Sequence, residues 1–376
     1  MSDRLQRLHD AGQSVWLDFI DRRMLSEGEL DRLIREDAIT GVTSNPTIFE
    51  KALAEGTAYD EQLAAISSEL QPLALFEDLA AEDVRRACDA LRGVYDASDA
   101  ADGYVSLEVS PSVAADADAT IADARRLWAL VDRPNLMIKV PGTPQGARAV
   151  RVLIEEGINV NITMLFAVEA HRRVVEAYFE GLEARARRDE PVDRIASVAS
   201  FFVSRVDTEV DRRLQALIDE SADEEVRRGL EALKGKAAIA NAKLAYRLFS
   251  AMFHGARWEG LRTRGAMVQR PLWASTSTKN PAYRDVLYVE ELVGPHTINT
   301  MPPATIEAFR DHGEVRRTVD TDIEGAVRAL QALEDAGISM REVTDKLLEE
   351  GLASFQKSFD GLLAGLEAKR DRMAAV

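Results

Sequence analysis

Eight short apolar runs recur along the chain, and a stretch of helical periodicity follows each. No other feature limits the fold as much. The runs are "SVWLDFI" (14–20), "ITGVTS" (39–44), "GYVSLEVSP" (103–111), "NLMIKVPG" (135–142), "GINVNITMLF" (157–166), "RIASVASFF" (194–202), "RPLWASTS" (270–277) and "HTINTMP" (296–302). They are rich in β-branched residues and bounded by Gly, Pro, Asn or Asp, which suits strands of a parallel sheet buried on both faces. Residues 26–37, 116–131 and 166–186 carry apolar positions at helical spacing. In "PPATIEAFRDHG" (302–313) two prolines open a helix and Gly313 follows it. Eight β/α units predict an α/β fold, the closed (β/α)8 TIM barrel. An open doubly wound sheet is the alternative. It normally shows a Gly-rich turn after its first strand, and "LDFIDRRML" has none.

Two segments exceed one helix. Residues 50–102, between the second and third runs, and 206–269, between the sixth and seventh and expected to hold two or three helices, read as helical insertions. Residues 341–376 read as one long amphipathic helix or two short ones, packed on the barrel or across its mouth. No linker rich in Pro, Gly or Ser divides the chain, so residues 1–376 are expected to form one barrel domain.

Composition narrows the function. The net charge is −17, which is ill-suited to a nucleic-acid partner. An acidic body can still hold a local cationic pocket. No apolar run reaches the ~18–20 residues that span a membrane, and the start lacks a signal-peptide core. Cys88 is the single cysteine, so a reducing, cytoplasmic setting is expected. The five histidines (His9, His171, His254, His296, His312) are scattered and expected at the surface or at helix ends. Neither H-E-x-x-H nor C-x-x-C occurs, and neither a metal nor a cofactor is expected. The acidic tail suits its own barrel or a second copy, which leaves monomer and homodimer both open.

In a parallel barrel, chemistry collects at the C-terminal ends of the strands. The runs carry polar residues there: Asp18; Thr43, Ser44 and Asn45; Glu108; Lys139; Asn161 and Thr163; Ser200 with Arg205 beyond; Ser275 and Ser277 with Lys279 beyond. Singly, each has an ordinary structural use as a cap, a satisfied hydroxyl or an ion pair. Lys139 is the hardest to explain that way. It alone of nine lysines lies inside a short apolar run, and a buried ammonium is costly.

Burial lowers an amine's pKa and leaves part of it neutral near neutral pH. A neutral amine attacks a ketone and forms a Schiff base. The protonated imine is an electron sink that permits cleavage of the C–C bond β to it. Such a cycle needs a carboxylate for the hydroxyl proton on the breaking bond, which Asp18 can supply. It needs a group to manage water, for which Glu108 with Thr163 serves. It needs a cationic cluster for a sugar phosphate, for which Arg205, Lys279 and nearby serines serve.

At these residues the sequence resembles the transaldolase family. "GVTSNPTIF" (41–49) is similar to the family's first signature. "LMIKVPGTPQG" (136–146) is similar to the signature around its Schiff-base lysine. "NVNITMLF" (159–166) and "SVASFFVSRVD" (197–207) resemble its fifth and sixth strands. The resemblance runs from about residue 14 to 300, and the length fits a long bacterial subfamily. It implies a class I aldolase-type TIM barrel of the pentose phosphate pathway. Such an enzyme moves a dihydroxyacetone unit from sedoheptulose 7-phosphate to glyceraldehyde 3-phosphate, giving erythrose 4-phosphate and fructose 6-phosphate.

By motif, Lys139 corresponds to the Schiff-base lysine, Asp18 to the carboxylate on the C4 hydroxyl, and Glu108 with Thr163 to the water-binding pair. Asn45, Asn161 and Ser200 correspond to contacts of the dihydroxyacetone portion, and Arg205 to a phosphate ligand. The seventh run departs from the pattern. Shorter members have Ser-Phe-Arg-Asn there, and this chain has "ASTSTKN" (274–280), with Lys279 in place of an arginine. Ser275 and Lys279 are the substrate-binding candidates on that segment.

Two other readings stand beside this one. A fructose 6-phosphate aldolase would release free dihydroxyacetone, but such relatives are much shorter. A non-catalytic sugar-phosphate-binding barrel would keep Arg205 and the serines without needing a buried lysine near Asp18 and Glu108.

Overall fold

The computed structural model describes residues 4–54, 57–65 and 70–374. Eight parallel strands close into a barrel in sequential order. They are β1 Gln13–Leu17, β2 Ile39–Val42, β3 Tyr104–Glu108, β4 Leu136–Pro141, β5 Val160–Leu165, β6 Ser197–Phe202, β7 Arg270–Ala274 and β8 Thr297–Met301. Each lies inside the apolar run that predicted it, except that β1 begins one residue before its run, at Gln13. β1 is shorter than its run, because the chain leaves the sheet after Leu17 and Asp18 stands just beyond the strand end. The doubly wound alternative is excluded, since β1 pairs with β8 along its whole length.

The period-2 geometry of a strand sorts the side chains. In β4, Ile138 and Val140 are fully buried and alternate with Lys139, which faces the cavity at the barrel mouth. In β5, Val160 and Ile162 alternate with Asn161 and Thr163 in the same way. The apolar set meets the surrounding helices, and the polar set meets in the middle.

The expected helix at 26–37 is split. Helices Arg22–Ser26 and Glu29–Glu36 are separated by Gly28 in a left-handed conformation at φ 73°. The 50–102 segment holds helices Pro46–Ala54, Asp60–Ala65 and Pro72–Ala97, with residues 55–56 and 66–69 outside the described residues. The 206–269 segment holds four helices between Ser204 and Arg262, more than the two or three expected. The C-terminal segment is one helix, Met340–Ala374, not two. Residues 375–376 of that expectation lie outside the described residues.

The end of the barrel opposite the strand C-termini is closed by a polar plug. Asp102 accepts from Trp16 Nε1 at 2.8 Å, from Ser14 Oγ, and from Arg270 Nη1 at 3.3 Å. Arg270 also donates to Thr297 O at 2.8 Å. One carboxylate and one guanidinium thus tie the starts of β1, β3, β7 and β8 together. Each buried charge there is paired, as burial requires.

His171 corrects the expectation for the histidines. It lies fully buried on the helix Val168–Arg187, beside Phe201, and neither ring nitrogen has a partner. Burial alone pulls its pKa from 6.5 down to about 4. As pH falls from 6.5 toward 4, the unfolded chain takes up a proton at this ring and the folded chain does not, so stability is lost through that window. At 1.36 kcal/mol per unit, the loss reaches ~3 kcal/mol. His171→Phe should therefore make the unfolding free energy less pH-dependent between those limits, measured by denaturant titrations at a series of pH values. Parallel curves for the two proteins would mean that His171 is protonated in the fold.

Candidate active site

A cavity of about 470 Å³ opens at the C-terminal ends of the strands. Lys139 stands at its floor. Pairing places Glu108 of β3, Lys139 of β4 and Asn161 of β5 side by side in one row. Lys139 Nζ donates to Ser44 O at 2.8 Å and to Glu108 Oε2 at 3.1 Å. Both side chains of the ion pair are nearly sealed from solvent, at 7% and 6% exposed. The strand end that presents Lys139 is fixed by the motif "PGTPQG". Thr143 caps the next helix by accepting from Gly146 N at 2.9 Å. A side chain at Gly146 would strike the Pro141 carbonyl, with its Cβ 1.9 Å from the oxygen, so only glycine lets that helix start so close to the strand.

The remaining wall follows the same layout. Asn161 donates to Ser106 Oγ at 3.0 Å and accepts from Ser200 Oγ at 2.6 Å. Asn45 caps the helix Pro46–Ala54 by accepting from Ile48 N at 3.0 Å. Thr163 Oγ1 and Glu108 Oε1 are both buried without a hydrogen-bond partner among the described residues. Immediately after Thr163, Met164 adopts φ 59° and the β5–β6 register shifts. A non-glycine residue in that region costs about 1–3 kcal/mol, so the bulge is held by its surroundings.

Asp18 stands on the side of β1 and β2. Thr43 Oγ1 donates to Asp18 Oδ1 at 2.7 Å. Thr43 and Thr300 share a hydrogen bond of 2.6 Å. Because Thr43 gives its proton to the carboxylate, Thr300 is the donor to Thr43. Desolvation raises the pKa of Asp18, opposed by the Thr43 bond and by the charges of Lys139 and Lys279. Burial likewise raises Glu108, with Lys139 opposing. Both carboxyls are thereby better proton acceptors than ordinary ones, which suits acid–base work near neutral pH.

Four cationic side chains line the cavity, Lys51, Lys139, Arg205 and Lys279, against one carboxylate, Asp18. Among the described residues, Lys51, Arg205 and Lys279 have no carboxylate partner. Arg205 packs over Phe202 at 5.5 Å, and burial pulls its pKa below the ordinary arginine value. Lys279 donates to Ser277 Oγ at 2.7 Å. Ser275 adopts φ 57°, and its carbonyl and hydroxyl bond Ser204 at 3.0 and 2.9 Å. The end of β7 is thus tied to the first residue of Arg205's helix.

Asp18, Asn45, Lys139, Asn161, Thr163, Ser200, Arg205, Ser275, Ser277 and Lys279 all line this one cavity. Glu108 does not line it and reaches it only through Lys139. The sequence reading missed Thr300, Lys51 and Phe355, and did not single out Thr43 for Asp18. Lys51 had a signal, since Thr47, Ile48 and Lys51 share one face of the helix that Asn45 caps. Phe355 had none, because it comes from the C-terminal helix far along the chain.

The transaldolase/fructose-6-phosphate aldolase family model matches residues 15–366. A transaldolase of Thermobifida fusca is 49% identical over 96% of this chain and 97% of its own. One from Trichodesmium erythraeum is 45% identical over the full length of both chains. One from Mycolicibacterium smegmatis is 47% identical over 98% of this chain and 97% of its own.

The Thr43 bond holds Asp18 toward its ionised form. In Thr43→Val the Asp18 carboxyl should titrate at higher pH, read by NMR of ¹³C-labelled aspartate with Asp18→Asn for assignment. An unmoved titration would mean that the bond is absent in solution.

Proposed function

This chain belongs to the transaldolase/fructose-6-phosphate aldolase family and is an enzyme of the transaldolase type, and with that as premise we propose how its barrel mouth carries the reaction. The Lys139 amine adds to the ketone carbon of a ketose phosphate, and loss of water leaves an iminium. Asp18 takes the proton of the C4 hydroxyl. The C3–C4 bond then breaks, its electrons pass into the iminium, and an aldose phosphate departs. The enamine left on Lys139 adds to the carbonyl carbon of a second aldose phosphate, whose oxygen takes the proton back from Asp18. Hydrolysis releases the new ketose phosphate. The donor is sedoheptulose 7-phosphate and the acceptor glyceraldehyde 3-phosphate, as in the pentose phosphate pathway.

Glu108 and Thr163 manage the water lost and regained at the imine carbon. The support is that each carries a buried oxygen with no hydrogen-bond partner among the described residues and that Glu108 touches the nucleophile. Asn45, Asn161 and Ser200 hold the three-carbon unit. Arg205 and Lys279, with Ser275, hold the phosphate. Arg205 supplies a fork and Lys279 a point charge. One chain supplies the whole set, so a monomer suffices and a homodimer would repeat it. With a single cysteine, the enzyme suits the cytoplasm.

The observation that carries this reading is Lys139 itself. It is buried, bonded to a carbonyl and a carboxylate, and open to a cavity that also holds Asp18. Its test is borohydride trapping. The protein is incubated with fructose 6-phosphate, reduced, digested and mapped by mass spectrometry. A three-carbon adduct is expected on the peptide carrying Lys139. Lys139→Ala should lose both the adduct and several orders of magnitude of turnover. A protein that binds the sugar phosphate without any adduct would favour a binding barrel. Glu108→Gln should slow adduct formation by ~10²–10⁴-fold, the usual worth of a positioned acid–base group, with an unchanged circular dichroism spectrum. A normal rate would remove Glu108 from the mechanism.

A further inference from the structure

The C-terminal helix Met340–Ala374 crosses the mouth of the barrel, and its sequence is built for that path. Val343, Leu347, Phe355, Phe359, Leu362 and Leu366 are buried at spacings of three, four or eight residues, with Gly351 completing the stripe at the eight-residue step. Gly351 rests against Met164 Sδ, and Arg205 Nη1 lies 3.8 Å from where a Cβ would stand. Toward one end, Lys346 bonds Glu209 on Arg205's helix at 3.3 Å. Toward the other, Lys369 bonds Asp60 at 2.8 Å and Arg370 bonds Leu70 O at 2.7 Å. Between them, Ser358 meets Thr47 at 3.0 Å, and Phe359 meets Phe76 edge-on at 5.6 Å. From residue 346 to 369 the helix spans ~35 Å at 1.5 Å per residue. The two helical insertions are its abutments.

Phe355 sits at the middle of this span. It lines the cavity, is buried, and places its ring centroid 5.9 Å from Lys139 Nζ. It is the one cavity-lining residue that the helix contributes. We propose that Phe355 is a specificity-determining residue that shields the three-carbon unit on Lys139 from water, so that the unit is transferred to an aldehyde rather than released. This rests on the Schiff-base reading above.

After cleavage the enamine has two fates. In transfer, its carbon forms a bond to the aldehyde carbonyl carbon, and the aldehyde oxygen takes the proton held by Asp18. In release, the same carbon takes a proton instead and regenerates the iminium. Water then adds to the iminium carbon, the C–N bond breaks, and free amine and dihydroxyacetone result. Both fates end with water adding at the nitrogen-bearing carbon; release differs by the proton that the enamine carbon beside it must take, which water can deliver, and Phe355 stands against that end of the adduct, 5.9 Å from Nζ. An aromatic ring within about 6 Å also attracts the iminium cation. Excluding bulk water from a reactive intermediate is a general use of elements that close over a site.

The experiment supplies fructose 6-phosphate with and without erythrose 4-phosphate. It measures free dihydroxyacetone against sedoheptulose 7-phosphate formed, for wild type, Phe355→Ala and Phe355→Leu. Borohydride trapping of the Lys139 adduct runs in parallel. Phe355→Ala should raise the ratio of release to transfer by roughly tenfold, a relative barrier change of about 1.4 kcal/mol. Phe355→Leu keeps an apolar cover and loses only the ring, so it should raise the ratio by roughly threefold. Should Phe355→Ala fail to fold, the Leu variant carries the test alone. General damage to the barrel slows both fates and leaves the ratio unmoved. An unmoved ratio with the adduct still formed overturns the role of Phe355 and leaves the Schiff-base reading intact. No adduct in the wild type overturns both.

Discussion

The site depends on one arrangement: the Lys139 ammonium held between the Ser44 carbonyl and the Glu108 carboxylate. Three chain segments meet there, the turn after β2, the end of β3 and the middle of β4. A lone ammonium could not stay at this depth, because removing it from water costs far more than packing returns. The two acceptors hold it there, and they also fix where Nζ points. Glu108 pays in turn, since desolvation raises its pKa. The carboxylate that steadies the lysine is thereby a stronger base than an ordinary carboxylate. Structural satisfaction and chemical poise come from the same contact.

The second constraint is electrostatic. The chain carries −17 overall, yet its mouth presents four cations to one carboxylate. Surface carboxylates are mostly engaged elsewhere, as in Arg188 with Glu155 and Glu190, or Arg257 with Glu183. Lys51, Arg205 and Lys279 are left for an anion. A cleft of one sign within a low-dielectric wall focuses its field outward, so an anion is drawn toward this mouth despite the acidic surface around it.

Much of this was legible because a parallel barrel leaves few options. Strands buried on both faces must be apolar, so a polar residue inside one stands out, and Lys139, Asn161, Thr163 and Ser200 did. Register did the rest, since sequential pairing brings Glu108, Lys139 and Asn161 into one row. Other features depend on tertiary placement. Thr300 matters only because β8 closes against β1 and sets its hydroxyl against Thr43. Phe355 lies on a helix whose pattern says that one face is buried, and no periodicity says against what. His171 looked like a polar position near a helix start, and only the packing of that helix onto β6 buries it.

The two ends of the barrel divide the work by how their charges are paired. At the N-terminal end, the charges of Asp102 and Arg270 are satisfied by each other and by Trp16, Ser14 and Thr297. At the C-terminal end, Arg205 has no carboxylate partner, and Thr163 Oγ1 and Glu108 Oε1 are buried without a hydrogen-bond partner, among the described residues. Unsatisfied groups cost stability, so they persist only where the rest of the fold holds them. The plug, the capped strand ends and the helix laid across the mouth provide that hold. The strained Met164 fits the same logic, since its bulge lies between Thr163 and the helix that carries Phe355.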